Sequence, residues 1–169
     1  MLERTNNTRW EWGQSKVISQ FKKGQRSDCS NYRGISLLNA GYKIYTKIIT
    51  NRLKPISESV LSEEQNGFRV GRSCIDNVFT VKQIIEKRRE FNLETQMAFL
   101  DLKKTFDTVS RGKLWEILYR KGLPYHLISV ITSLYKNTRI QIDTGRKILD
   151  AMYINQGVRQ GCSLSPTFV

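Results

Sequence analysis

Two aspartates follow an apolar run near the middle of the chain. The segment AFLDLKKTFDTVS (98–110) carries Asp101 within MAFLDL and Asp107 six residues later. A short apolar run of this kind is typical of a strand in the middle of a sheet, so we predict that Asp101 lies at or near a strand end. A buried carboxylate needs a partner, and a divalent metal ion would provide one. For Asp107 a second interpretation stays open, in which it caps or braces the following turn.

A glycine-bearing segment near the end of the sequence is the second candidate for a functional site. In NQGVRQGCSLSP (155–166), Gly157 and Gly161 stand four residues apart and flank Arg159 and Gln160. The glycines would let the backbone approach a ligand, and the arginine and glutamine side chains would then reach it. Gly-rich turns are common, so this segment alone identifies no chemistry.

Several kinds of site are excluded by residue counts. His126 is the only histidine, which excludes histidine triads and HExxH zinc sites. The three cysteines lie far apart without a CxxC pair, which supports neither a disulfide framework nor a zinc knuckle and favours a reducing, intracellular setting. Any chemistry must therefore use carboxylates. The sequence contains neither a signal peptide nor a run of about 18 apolar residues, so we predict no membrane association.

The charge balance is strongly basic. Against 28 Lys and Arg residues stand 15 Asp and Glu, and the net charge of +13 is spread along the chain. This distribution favours a phosphate-rich partner, with nucleic acid as the first hypothesis. The alternative is a solvated basic surface that only keeps the protein soluble.

Strands and helices alternate along the chain. Strands are predicted at 16–21 and 32–38, joined by an exposed basic turn, and a helix at 40–53 that Pro55 ends. A second helix begins at Ser73, which forms a capping box with Asp76, and presents an apolar face of Ile75, Val78, Val81 and Ile85. Further helices are predicted at 110–121 and 124–136, and a hairpin then leads from RIQID to ILDAMYI.

Five segments together resemble one protein family. FKKG, SNYRGISLLN, QNGFRVGRS, FLDLKKTFD and NQGVRQGCSLSP occur in the order seen in reverse transcriptases of non-LTR retrotransposons. The resemblance spans Trp12 to Val169. It implies an α+β fold, the fingers and partial palm of a right-hand polymerase, with helices packed on an antiparallel sheet. The implied domains are an N-terminal extension, 1–15, and a partial reverse transcriptase domain, 16–169.

The resemblance also implies a metal site. Asp101 matches the first metal-binding aspartate, and the Leu102 carbonyl matches a further ligand. Two Mg²⁺ ions would activate the primer 3′-hydroxyl and stabilise the leaving pyrophosphate. The implied reaction is the addition of dNTPs to a DNA primer on an RNA template, and the implied location is the cytoplasm or the nucleus.

Other residues match the family's nucleotide and template contacts. Lys23 and Arg33 stand where basic residues of the fingers grip the triphosphate, and Phe106 stands where an aromatic closes off the sugar 2′ position. Gln160 and Gly161 match the pair beneath the incoming nucleotide. Two arginines, Arg69 and Arg72, match the segment near the template, although a loop arginine is also often a plain surface charge.

One family motif is absent from the sequence. No aromatic-Ala-Asp-Asp turn follows the Gln160 segment, and no adjacent Asp-Asp pair occurs. One aspartate does not hold two magnesium ions, so we expect this chain alone not to polymerise, and we expect uncovered apolar faces around MAFLDL to favour aggregation. The alternative function is a non-catalytic remnant or domesticated element that binds RNA or DNA.

Overall fold

The computed structural model describes residues 12–168, which divide into two units. Unit 1 contains residues 12–53 and 104–168, and unit 2 contains Lys54–Lys103. Most of the predicted N-terminal extension, residues 1–11, lies outside the described residues. Within residues 12–168, none of the helices combines the length and the apolar composition needed to cross a lipid bilayer.

Unit 1 contains a four-stranded sheet. Its strands are β1 (Gln14–Phe21), β2 (Tyr32–Leu37), β3 (Arg139–Asp143) and β4 (Met152–Tyr153), and their order across the sheet is β2-β1-β3-β4. The β1–β2 and β3–β4 pairs are antiparallel, but β1 and β3 run parallel. A parallel pair needs a long crossover, and the helices between β2 and β3 supply it. The α+β class is confirmed, whereas the sheet is mixed rather than antiparallel.

Within residues 14–168, five α-helices accompany the sheet. They are α1 (Ala40–Glu58), α2 (Cys74–Glu90), α3 (Thr105–Thr108), α4 (Arg111–Arg120) and α5 (Tyr125–Tyr135). Two short 3₁₀ helices, Cys29–Asn31 and Ser165–Phe168, complete the described elements. The strands predicted at 16–21 and 32–38, the four predicted helices and the terminal hairpin are confirmed to within a few residues at their ends. The short helix α3 was not predicted.

The end of α1 differs from the prediction. Helix α1 continues through Pro55 and ends at Glu58. Proline lacks the N–H that would donate to the carbonyl of Asn51, but both residues are exposed, so water can satisfy that carbonyl. Because only three residues of the helix follow Pro55, the missing hydrogen bond affects its last turn alone.

The core of unit 1 joins α1, α4 and α5 to the chain after Gly157. Helix α1 contributes Tyr42, Ile49 and Leu53, all almost fully buried. Buried apolar residues from the other segments are Leu114, Leu123, Leu127, Ile128, Ile131, Leu134, Val158, Cys162 and Leu164. Each fully buried aliphatic side chain stabilises the fold by about 1.5–3 kcal/mol relative to exposure. The segment after Gly157 is therefore part of this core.

Unit 2 contains α2 and lacks a comparable core. The predicted capping box of α2 is confirmed: the Ser73 hydroxyl accepts from the N–H of Ile75 at 3.1 Å, and the Asp76 carboxylate accepts from the N–H of Ser73 at 2.8 Å. No residue of α2 is buried, so the predicted apolar face is exposed.

The predicted central strand MAFLDL is wrong for the described structure. Residues 93–102, the Asp101 segment, form no helix or strand, and Phe99 and Leu100 are 85% and 92% exposed. A strand is stable only when a neighbouring strand pairs with its backbone and other groups cover its apolar side chains. No described strand pairs with this segment. The expected uncovered apolar surface around MAFLDL is present in the structure.

Candidate functional site

The connection between β1 and β2 holds Lys23 and precedes Arg33. Its ends are joined by the N–H of Lys22, which donates to the carbonyl of Asn31 at 2.9 Å. The Asn31 side-chain amide in turn donates to the carbonyl of Gln25 at 2.9 Å. These bonds fix a basic turn whose cationic side chains, including Lys23, are exposed. Arg33, also exposed, follows in β2.

The Gln-Gly segment, residues 154–161, binds the outer edge of β2. The N–H of Ser36 donates to the carbonyl of Gln160 at 2.9 Å. Gly161 has a φ of +113°, and a Cβ there would stand 2.9 Å from the Ser36 carbonyl oxygen, so only glycine fits. Arg33 lies three residues before Ser36, roughly 10 Å along the strand. Strand β2 therefore carries the Arg33 side chain and also binds the backbone at Gln160 and Gly161.

The same segment also binds the backbone around α3. The N–H of Val158 donates to the carbonyl of Phe106 at 2.7 Å, and the N–H of Gly157 donates to the carbonyl of Val109 at 2.9 Å. Gly157 has a φ of +79°, and a Cβ there would stand 2.8 Å from the carbonyl oxygen of Asp107. The Phe106 side chain stays partly exposed. Through these contacts the Gln-Gly segment joins α3 to β2.

Four of the predicted nucleotide-contact residues thus lie on connected backbone. Arg33 is on β2, Phe106 is on α3, and Gln160 and Gly161 are on the segment that hydrogen bonds to both. The fifth, Lys23, lies in the turn at the start of the β1–β2 connection. Exposed cations, a partly exposed aromatic ring and an amide side chain are together suited to a phosphorylated nucleotide.

Arg159 does not reach for a ligand, contrary to the expectation from the sequence. Its side chain is 4% exposed, and its guanidinium donates to the carbonyls of Trp12 at 2.7 Å and Gly13 at 3.1 Å. It also lies over the ring of Tyr42, 4.7 Å from the ring centroid. Carbonyl dipoles and an aromatic face compensate the buried charge, so Arg159 binds protein groups instead of ligand.

A second arginine, Arg111, was missed by sequence reasoning. Its guanidinium donates to the carbonyls of Gly157 and Ile154, each at 2.8 Å, and lies 5.1 Å from the ring centroid of Tyr135. Burial lowers the pKa of Arg111 from its ordinary value, although an arginine stays protonated at neutral pH. An arginine at the start of an exposed helix is ordinarily a surface charge, so its sequence position carried no signal of this contact.

The tyrosines beside these arginines are held neutral. Burial raises the pKa of Tyr135 to about 12, and burial also raises the pKa of Tyr42. The Tyr135 hydroxyl lies 3.3 Å from that of Ser165, and the Cys162 thiol lies 3.7 Å from the Tyr42 hydroxyl. These groups form a buried polar layer around Arg159 of the Gln-Gly segment.

The described residues do not form a metal site. Asp101 and Leu102 are both exposed, in the Asp101 segment of unit 2. In the part of the chain that the structure describes, no three histidine, cysteine, aspartate or glutamate side chains gather closely enough to hold a metal ion. A two-metal centre needs several carboxylate oxygens, so the donor set present here does not fit two metal ions.

The two predicted template arginines brace a loop in unit 2. Arg69 donates to the Glu58 carboxylate at 2.6 and 2.9 Å and to the carbonyl of Ser62 at 2.7 Å, and its side chain is 5% exposed. Arg72 forms an ion pair with Glu63 and keeps more of its surface in solvent. The hydrogen bond from Arg72 lowers the pKa of the Glu63 carboxyl. A template phosphate at Arg69 would have to displace one of these acceptors.

Comparison with known proteins gives the family. A family model described as reverse transcriptase (RNA-dependent DNA polymerase) matches residues 21–169. The chain belongs to the reverse transcriptase family. Its relatives include the transposon TX1 uncharacterized 149 kDa protein of Xenopus laevis, 30% identical over 144 residues, which are 85% of this chain and 11% of that protein.

Two further relatives carry names of mobile elements. The Retrovirus-related Pol polyprotein from type-1 retrotransposable element R2 of Nasonia vitripennis is 29% identical over 156 residues, 90% of this chain and 15% of that protein. The RNA-directed DNA polymerase from mobile element jockey of Drosophila melanogaster is 27% identical over 161 residues, 92% of this chain and 17% of that protein. The resemblance to non-LTR retrotransposon reverse transcriptases is confirmed. The chain spans between about a tenth and a sixth of the length of these relatives.

Proposed function

We propose that this chain is part of an RNA-directed DNA polymerase of a non-LTR retrotransposon. The whole enzyme would bind an RNA template, a DNA primer and dNTPs, and would add nucleotides to the primer 3′ end. Membership of the reverse transcriptase family supports this proposal, as do relatives named as RNA-directed DNA polymerases. The net charge of +13 supports nucleic acid as the partner. An intracellular location, in the cytoplasm or the nucleus, belongs to the same proposal.

The nucleotide site is proposed on the elements that the Gln-Gly segment joins. Lys23 and Arg33 would contact the triphosphate, Phe106 would face the sugar, and Gln160 with Gly161 would lie beneath the nucleotide. The observation that carries this assignment is the double attachment of the Gln-Gly segment, to Ser36 of β2 on one side and to the α3 backbone on the other. Preorganised donors on fixed backbone can bind a phosphorylated ligand with little ordering cost.

A divalent metal ion is the general cofactor of the family, and we propose Mg²⁺ for the whole enzyme. Asp101 and the Leu102 carbonyl are the proposed ligands from this chain. The metal ions would neutralise the triphosphate and lower the pKa of the primer hydroxyl when bound. The described donor set does not by itself fit two ions.

Template contact is proposed for Arg69 and Arg72. The exposure of Arg72 favours it as the contact residue, since the Arg69 guanidinium is directed mainly at protein acceptors. Unit 2 would then contribute charge to the template, and Arg69 would hold the loop that presents Arg72.

Primer extension tests the proposal. A polypeptide that continues this chain to the length of its relatives is given an RNA template, a DNA primer, Mg²⁺ and dNTPs, beside its Asp101→Asn and Arg33→Ala variants. We expect extension by the parent, loss of extension in Asp101→Asn, and a raised KM for dNTPs in Arg33→Ala. Arg146→Ala, an exposed arginine in the β3–β4 turn, serves as the control. An Asp101→Asn variant that extends the primer as well as the parent would exclude the proposed role of Asp101. An inactive parent that still binds RNA would support the alternative of a non-catalytic nucleic-acid-binding protein.

A further inference from the structure

Two arginines lie side by side at the Gln-Gly segment: Arg159, which is buried within it, and Arg111, which is half-buried at the start of α4. Arg159 and Arg111 both lie over the ring of Tyr135, at 5.8 and 5.1 Å from its centroid. Among the described residues, no carboxylate pairs with either guanidinium. A charge that loses its water without gaining a counter-ion is costly, so other groups must compensate the buried Arg159 fully and the half-buried Arg111 in part.

Main-chain carbonyls provide that compensation. Arg111 donates to four of them, at Ile154, Gly157, Tyr135 and Gln156, over 2.8–3.3 Å. Three of these four belong to the Gln-Gly segment itself. Arg111 therefore supplies the donors that this irregular stretch of backbone lacks within its own hydrogen-bond pattern.

Arg159 attaches the same segment to two distant parts of unit 1. Its guanidinium donates to the carbonyls of Trp12 and Gly13, ahead of β1, and to that of Leu134 in α5 at 3.5 Å. Arg159 immediately precedes Gln160 in the chain. Its buried side chain thus fixes the backbone from which the partly exposed Gln160 side chain extends.

Arginine suits this task better than lysine. A planar guanidinium offers five N–H donors in a fixed arrangement, so it can bond several carbonyls in different directions at once. A lysine ammonium would keep the charge but could not match the carbonyls on both sides of either arginine. Lysine variants therefore separate the effect of charge from that of geometry.

We propose that Arg111 and Arg159 are positioning residues for the nucleotide site, and that they hold Gln160 and Gly161 in place without touching the nucleotide. This inference rests on the proposed function. It also includes Trp12 and Gly13, which precede the residues matched by the family model, among the parts that support the site. A purely structural role would instead loosen all of unit 1 equally.

The test combines hydrogen exchange with nucleotide binding. The amides of Ser36, Gly157 and Val158 report attachment of the Gln-Gly segment because each takes part in one of its bonds to β2 or to the backbone around α3. Their exchange is compared with that of the β1–β3 amides in Arg159→Lys, Arg159→Met, Arg111→Lys and Arg111→Met, each at the same interval below its own melting temperature. The exposed Arg120→Met is the matched control in α4.

Binding of Mg-dTTP by equilibrium dialysis provides the second measurement. We expect the methionine variants to exchange the three reporter amides at least about tenfold faster than the parent, with the β1–β3 amides unchanged, and to bind Mg-dTTP about tenfold more weakly. The lysine variants should fall between the parent and the methionine variants. Arg120→Met should match the parent in both measurements.

The possible outcomes separate the two proposals. Equal acceleration of reporter and β1–β3 amides, or unchanged exchange in the methionine variants, would overturn the positioning role. Unchanged Mg-dTTP affinity in variants with loosened reporter amides would also overturn it. If the parent itself binds no Mg-dTTP, the proposed nucleotide site fails, and the exchange data still decide whether the arginines position the segment.

Discussion

The Gln-Gly segment and the Asp101 segment differ in their hydrogen bonding and exposure in a way that their sequences do not predict. The Asp101 segment is the more apolar of the two, yet it forms no strand and its Leu100 is 92% exposed. The Gln-Gly segment contains two glycines at positive φ and no strand over residues 155–161, yet it forms hydrogen bonds to β2, to the backbone around α3 and to the half-buried Arg111. Order in these two segments therefore follows from the hydrogen-bond partners available to each backbone, more than from apolar content.

The largest contrast is expected between two leucines, one shortly after the Gln-Gly segment and one within the Asp101 segment. Leu164 is fully buried, and Leu164→Ala should destabilise the chain by about 2–5 kcal/mol because it leaves a cavity. Leu100→Ala should change stability by less than about 0.5 kcal/mol, since that side chain is exposed. Urea unfolding of both variants measures the difference. Equal losses would mean that the Asp101 segment is packed in solution.

A pair of glycines sharpens the same contrast. Gly157→Ala should cost about 2–4 kcal/mol, because positive φ and a Cβ 2.8 Å from the Asp107 carbonyl oxygen act together. Gly71 also has a positive φ, +72°, but a Cβ there would meet no atom within 4 Å. Gly71→Ala should therefore cost only the backbone strain, roughly 1–2 kcal/mol. Urea unfolding gives both values. A milder effect at Gly157 than at Gly71 would contradict the close docking of the Gln-Gly segment.

The exposed Asp101 segment should govern self-association. Replacing Phe99 and Leu100 with serine removes two of its most exposed apolar side chains and should reduce aggregation severalfold. Analytical ultracentrifugation at several concentrations measures the effect, with Tyr125→Ser as a control at an exposed aromatic in unit 1. A cooperative, monomeric melting transition of the unaltered chain would contradict the expectation.

Alkaline pH should act on the buried polar layer around Arg159. Because burial raises the pKa of Tyr135 to about 12 from 10.0, the unfolded chain releases this proton first as pH rises. The stability linked to the neutral phenol is therefore present below pH 10 and is lost as pH rises toward 12. Tyr135→Phe should flatten this loss in urea unfolding between these pH values. An unchanged pH dependence in the variant would show that Tyr135 is not its source.

The smallest effect is expected at low pH, in the sheet. The hydrogen bond from Lys16 lowers the pKa of the Asp143 carboxyl from its ordinary value of 3.8, and the two side chains form a 2.7 Å ion pair between β1 and β3. This contribution is present above the ordinary pKa and is lost as pH falls through the lowered one. Asp143→Asn should remove a small part of the acid sensitivity in thermal melts. A variant as acid-sensitive as the parent would show that the Lys16–Asp143 ion pair does not contribute to the acid sensitivity.

Local signals in the sequence predicted most elements correctly. Ser73 with Asp76 marked the start of α2, and the runs RIQID and ILDAMYI marked the β3–β4 hairpin, because capping and hairpin pairing act over a few residues. The position of Gln160 beside Gly161 was also visible as a motif. These features depend on near neighbours, which a sequence displays directly.

Features that depend on distant partners were missed. Arg159 binds the Trp12 carbonyl across 147 positions of the chain, and Arg111 binds the Gly157 carbonyl across 46, so neither contact could be derived from spacing. The strand predicted at MAFLDL failed for the opposite reason, because apolar content predicts a strand only where a partner pairs with it. Pro55 was read as a helix end, although a proline in an exposed last turn removes only one hydrogen bond.

The most direct test of the central claim is photo-cross-linking of a dTTP analogue that carries a photoreactive base, with the cross-linked peptides located by mass spectrometry. If β2, α3 and the Gln-Gly segment form one nucleotide site, the label should fall on peptides that contain Arg33, Phe106 or Gln160, and unlabelled dTTP should compete for it. Labelling confined to residues 54–103, or labelling that unlabelled dTTP does not reduce, would contradict the account.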